Sequence, residues 1–148
     1  MYRSGIPASI TMAQALHESN FGKSDLATKA NNHFGIKCKS YWKGITYRHK
    51  DDDYENGELI KSCFRSYINV FDSYIDHSNF LKGTSHYKQL FSLGEKDYKS
   101  WAIGLQKSGY ATDPNYSEKL IRYIEKYDLD RLDYEDDPFK VLSKKLER

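Results

Sequence analysis

Two groups of residues in this sequence have the types and spacing for acid–base chemistry. One is Glu18, which closes an apolar run that begins at Gly5-Ile6-Pro7. The other is Asp51-Asp52-Asp53, with Glu55 two residues further on. Two carboxyl groups in unlike surroundings are what cleavage of a glycosidic bond requires. One stays protonated and gives its proton to the leaving oxygen; the other stays ionised and activates water or stabilises the oxocarbenium-like centre. A third group is Tyr110, which follows Gly109 in a loop that also holds Thr112, Asp113 and Tyr116. A phenol after a glycine on an inter-helix loop can be presented to a cleft, although the same pattern also makes an ordinary helix connection.

Other chemistries lack their residues. The five histidines are scattered, with no HExxH-type spacing. His17 and Glu18 are adjacent, but a helix turns about 100° between neighbours, so they point apart. The aspartate run does not fit an EF-hand loop and serves equally well as a solvated turn. No serine-nucleophile motif and no phosphate-cradling glycine loop is present. No metal and no cofactor is expected.

The elements that must carry these residues follow from the pattern. Ile6, Ile10, Ala13 and His17 form one helical stripe, with Ala8, Met12 and Leu16 beside it. A helix apolar around most of its girth belongs in a core. Pro7 suits its first turn, and Gly22 is a natural stop. Glu18 thus stands at the helix C-terminus, where the dipole favours cations and a carboxylate gains proton affinity. Asp25 to Ala30 fits one more helical turn, and Phe34, Ile36 and Cys38 alternate as in a short strand. Aromatic and β-branched residues from Tyr41 to His49, the Asn56-Gly57 turn and a return from Leu59 to Tyr67 predict an antiparallel hairpin over about 43–67. It carries the aspartates near its tip or along its first strand. Helices are expected over 70–82, 87–91, 95–108 and from Asn115 to Tyr127. Residues 128–137 read as an acidic tail, with a further short amphipathic helix from Phe139 to Leu146.

A chain of 148 residues fits one domain. Its net charge of +2 is dispersed without a basic block, which disfavours nucleic acid as a partner. No apolar run reaches the roughly 20 residues of a membrane span. Aromatic residues make up 15 % of the chain, 13 of them Tyr, a composition suited to sugar stacking as well as to a core. The central helix starts so near Met1 that upstream sequence is expected to be missing. Cys38 and Cys63 form a bridge in an oxidising compartment and remain thiols in a reducing one.

Several blocks resemble the glucosaminidase family of peptidoglycan hydrolases, glycoside hydrolase family 73. They are Gly5–Ile10, Ala13–Ser19 and Phe21–Ser24; then Asn32–Lys37, Trp42–Gly44, Tyr54–Gly57 and Cys63–Tyr67; and last Gly109–Tyr116. The match runs in order over about residues 5–127. The resemblance implies an α+β, lysozyme-like fold, mostly helical, with a small β-lobe flanking a cleft. It implies hydrolysis of the β-1,4 bond after N-acetylglucosamine, with Glu18 as the catalytic acid. The second carboxylate of the family is usually a Glu, and the matching position here is Asp53; Asp51, Asp52 or Glu55 could serve instead. Tyr110 matches the cleft tyrosine, and Asn32, Phe34, Trp42, Asp113 and Tyr116 are expected to bind substrate. The expected organisation is a catalytic domain over 1–133 and a tail over 134–148. The protein is expected to be an exported monomer of the periplasm or cell envelope acting on glycan strands. The rivals are a lytic transglycosylase on the same fold and a non-catalytic glycan-binding module.

Overall fold

A computed structural model describes residues 4–55 and 58–135; residues 49–55 and 58–60 are described by their backbone alone. The element order is helix α1 (Ala8–Glu18), α2 (Asp25–Ala30), strands β1 (Thr46–Glu55) and β2 (Glu58–Arg65), and α3 (Val70–Gly83). A 3-10 helix (Ser85–Ser92), α4 (Tyr98–Lys107), α5 (Tyr116–Lys126) and a second 3-10 helix (Leu129–Tyr134) complete it. The fold class is α+β and lysozyme-like, helical apart from one two-stranded sheet. The Asn56-Gly57 turn and the proposed helix at 139–146 lie outside the described residues.

The chain divides into two compact units. One comprises Ala15–His77, and the other the residues up to Gln14 together with those from Ser78 onward. In the latter, Ile6, Ile10, Ala13, Leu81, Leu90, Trp101, Leu105, Tyr116, Leu120 and Ile124 are buried. Phe91 meets Trp101 edge to face at 5.2 Å between centroids. A Cβ on Gly104 would press on the Leu90 side chain, so α4 approaches the first 3-10 helix closely at this point. The acidic tail expected at 128–137 is instead ordered structure as far as Glu135. Leu129 and Leu132, three apart, are buried, and Asp133 accepts bonds from the Ser9 N–H (2.8 Å) and hydroxyl (2.6 Å). A carboxylate there satisfies orphan donors at the start of α1 and faces its positive dipole end. Burial nevertheless lifts the Asp133 carboxyl above its ordinary pKa, against the lowering effect of the Ser9 bonds.

In the Ala15–His77 unit, α1 ends earlier than the glycine suggests. Asn20 and Phe21 already have φ of 50° and 58°, and the Phe21 N–H bonds the Leu16 carbonyl. The left-handed stop therefore precedes Gly22. Phe34, Ile36, Cys38, Phe64 and Tyr67 form the core of this unit. The strand expected at 34–38 is a single bridge, Lys37 opposite Phe64, and a Cys38–Cys63 disulfide closes the same corner.

Candidate functional site

Glu18 is the last residue of α1 and is half-buried. Its neighbour is the turn from Asn32 to Ile36. A methyl group built on Gly35 would lie 3.9 Å from Glu18 Oε2, and Gly35 has φ +65°. The carboxyl group therefore abuts bare backbone, at the negative end of its own helix.

Asn32 holds this turn. It is 1 % exposed, and its amide is fully engaged by backbone. Oδ1 accepts from the N–H groups of Phe34 and Ile36 at 3.2 Å each. Nδ2 donates to the carbonyls of Ile36 (3.0 Å) and Arg65 (2.8 Å). With both donors and both lone pairs engaged by backbone, Asn32 shapes the turn. Phe34 is likewise interior: it stacks on His77 at 4.0 Å and meets Tyr74 edge to face at 4.9 Å.

The acidic run lies along β1. The strands pair in register from Thr46↔Arg65 to Lys50↔Lys61, and again at Tyr54↔Leu59, with a register shift between. Asp51, Asp52 and Asp53 thus stand against Ile60 alone. Such a bulge bends a strand and re-aims its side chains, and bulges concentrate near active sites. The side chains of the three aspartates lie outside the described residues, as does that of Glu55.

Trp42 rests on the base of this lobe. Its ring N–H bonds the Ile45 carbonyl at 3.0 Å, and the Arg65 guanidinium carbon lies 4.7 Å from its ring centroid. The cation takes part of the surface that a sugar platform would offer. Arg65 is 3 % exposed and pairs with Asp76 at 2.9 Å. Burial disfavours its charge, but Asp76 outweighs that and holds the guanidinium above its ordinary pKa.

Tyr110 belongs to the other unit. It lies between Tyr87 (5.9 Å, tilted) and Tyr116 (5.8 Å, 19° between planes). Tyr116 is fully buried, and its hydroxyl accepts from Gln14 Nε2 at 3.0 Å. The loop after Tyr110 is fastened by Gln106, which donates to the Pro114 carbonyl and accepts from the Ser117 N–H, 2.8 Å each. Asp113 accepts from the Asn115 N–H and pairs with Lys119. Tyr110 is thus half-exposed on an aromatic stack, while Tyr116 and Asp113 hold the loop. Gln14, Gly35, Tyr87 and Gln106 were not singled out from sequence. The signal for Gly35 was its place after paired asparagines; the others gave none.

Among the described residues, no group of three or more His, Cys, Asp or Glu could hold a metal, and no helix is long and apolar enough to cross a membrane. Residues 1–129 match the model of the glucosaminidase family, described as mannosyl-glycoprotein endo-beta-N-acetylglucosaminidase. Exo-glucosaminidase LytG of Bacillus subtilis is 45 % identical over 130 residues, 84 % of this chain and 45 % of LytG. Peptidoglycan hydrolase FlgJ of Pseudomonas aeruginosa is 35 % identical over 126 residues, 81 % of this chain and 31 % of FlgJ. The chain therefore spans less than half the length of these relatives. The catalytic domain of the Listeria monocytogenes autolysin Auto superposes with a TM-score of 0.71 at 31 % identity, over 86 % of this chain and 76 % of that one. A peptidoglycan hydrolase from Sphingomonas sp. A1 gives 0.70 at 30 % identity, over 86 % and 80 %.

Proposed function

Because the chain belongs to the glucosaminidase family, we propose that it is a peptidoglycan hydrolase, an endo-β-N-acetylglucosaminidase that cleaves the β-1,4 bond after N-acetylglucosamine. The observation that carries this reading is Glu18: a half-buried carboxyl at a helix C-terminus, against bare backbone at Gly35. In this reading Glu18 protonates the leaving oxygen. Asp53, on the bulged strand, activates water or stabilises positive charge at the anomeric carbon, and Asp51 and Asp52 are its alternates. Tyr110 orients the sugar from its aromatic stack, and Trp42 gives further apolar contact. The substrate N-acetyl group can itself act as nucleophile, which would reduce the demand on the second carboxylate.

The protein acts outside the cytoplasm, as a monomer on glycan strands of the cell envelope. The Cys38–Cys63 disulfide agrees with an oxidising compartment. Fragment analysis of digested peptidoglycan is the test. New reducing N-acetylglucosamine ends are the expected product. Anhydro-muramyl ends would identify a lytic transglycosylase, and binding to sacculi without release would identify a binding module. A ladder of internal fragments supports the endo mode, whereas release from chain ends alone supports the exo mode named for LytG.

A further inference from the structure

We propose that Tyr116 and Tyr87 are positioning residues for Tyr110: together they form an aromatic seat that holds its ring in a single orientation for the sugar. The inference rests on the reading of Tyr110 as the residue that orients the sugar, and adds what orients Tyr110. These residues belong to one unit, the chain up to Gln14 together with the residues from Ser78 onward. The backbone of Tyr110 is set by the end of α4. Gly109 takes φ +82°, a left-handed value that favours glycine, and the N–H groups of Gly109 and Tyr110 bond the Gln106 and Leu105 carbonyls at 3.1 Å each. Tyr110 thus leaves the helix in a fixed direction.

Its ring then packs on two others. Tyr116 lies nearly parallel, 19° between planes and 5.8 Å between centroids, an offset stack of the kind aromatic pairs prefer. Tyr87 meets it at a tilt at 5.9 Å. Both partners are themselves held. Tyr116 opens α5 and is fully buried, and its hydroxyl accepts from Nε2 of the buried Gln14 at 3.0 Å. Tyr87 is buried in the first 3-10 helix, where its N–H bonds the Thr84 carbonyl at 3.0 Å and its ring meets Phe80 at 6.2 Å. Interiors are close-packed, so a ring with buried neighbours has little room to swing. Tyr110 itself stays half-exposed. The seat therefore fixes the inner part of the ring and leaves the remainder to a ligand. A ring ordered before the substrate arrives loses less freedom on binding, and a group misplaced by about 1 Å can cost about 10²-fold in turnover.

The test is a double-substitution cycle, with kcat and KM measured on soluble glycan fragments of peptidoglycan. Tyr116→Leu removes the ring on which Tyr110 stacks, and is expected to lower kcat about tenfold or more with KM little changed. Tyr116→Phe keeps that ring and should restore most of the rate; a Phe enzyme as slow as the Leu enzyme overturns the proposal. In a Tyr110→Ala background, Tyr116→Leu should lower kcat less than about twofold, because residues that act through one contact are not additive. A role confined to folding would lower the rate by the same factor in both backgrounds. That result overturns the proposal, as does a Tyr116→Leu enzyme with undiminished kcat. Tyr87→Leu is read in the same two backgrounds by the same criteria, and its result stands alone if Tyr116→Leu does not fold. Tyr110→Ala by itself separates the two readings. If it keeps the parent rate, Tyr110 does not orient the sugar and the underlying reading falls. If it is slow while the Tyr116 and Tyr87 losses are the same with and without Tyr110, only the seat is refuted.

Discussion

Glu18 occupies a position that stability alone would not select. The C-terminal end of α1 repels a carboxylate, and partial burial adds to the cost. Glu18→Gln is therefore expected to lower turnover by about 10²–10⁴-fold, the usual contribution of a general acid. Its melting temperature should change little, since the amide keeps the shape of the carboxyl group. A calorimetric scan beside an activity assay checks both halves. For the second carboxylate, separate Asp51→Asn, Asp52→Asn and Asp53→Asn variants are expected to show the largest loss at Asp53. A larger loss at either neighbour would move the assignment along the strand. Parity counting cannot choose among the three, because the bulge interrupts the two-residue alternation of β1 at that point.

The hairpin depends on what anchors its base. Arg65 is the last residue of β2, and its guanidinium bonds the Lys37 carbonyl, Asp76 of α3 and the face of Trp42. The Tyr67 hydroxyl donates to the same Asp76, and the phenol is pushed well above its ordinary pKa, first by burial and then by that carboxylate. Asp76→Ala would leave a buried cation without its anion, at a cost of about 3–5 kcal/mol. Chemical denaturation should register that loss, and a loss below about 1 kcal/mol would show that the pair is solvated in solution. The disulfide is a second anchor. It spans 25 residues, for which loop closure predicts about 3–4 kcal/mol. Reduction, or Cys38→Ala with Cys63→Ala, should lower the denaturation midpoint accordingly, and activity should fall with it because the hairpin carries the second carboxylate of the proposed mechanism.

Across the whole molecule, the pH dependence of stability has an identifiable source. His77 is fully buried, and burial lowers its pKa to about 3. An unfolded histidine titrates near 6.5, so between these values the unfolded chain binds the extra proton. The contribution of His77 is present above about pH 6.5 and is lost as pH falls toward 3. Asp133 has the opposite sign: its raised pKa favours the folded state as pH falls through that value. The expected result is a stability that declines on acidification from pH 6.5, with a shallower slope in His77→Phe. Melting curves from pH 7 to 4 make the comparison, and parallel slopes would exclude His77 as the source.

Much of this protein could be read locally. Apolar spacing marked α1, α3, α4 and α5, and the chain α2 and hairpin followed from short-range turn and strand signals. Glu18 stands out in the sequence as a candidate because a carboxylate at the end of an apolar helix contradicts its own surroundings. The partners of each side chain could not be read, because they come from distant positions. Asp133 reaches Ser9, and Asn32 reaches the Arg65 carbonyl. A polar residue in a loop looks the same in sequence whether it faces a ligand or holds the backbone; the backbone bonds of Asn32 come to light only in the fold. Tertiary structure decides, since only packing determines which hydrogen-bonding groups are already occupied.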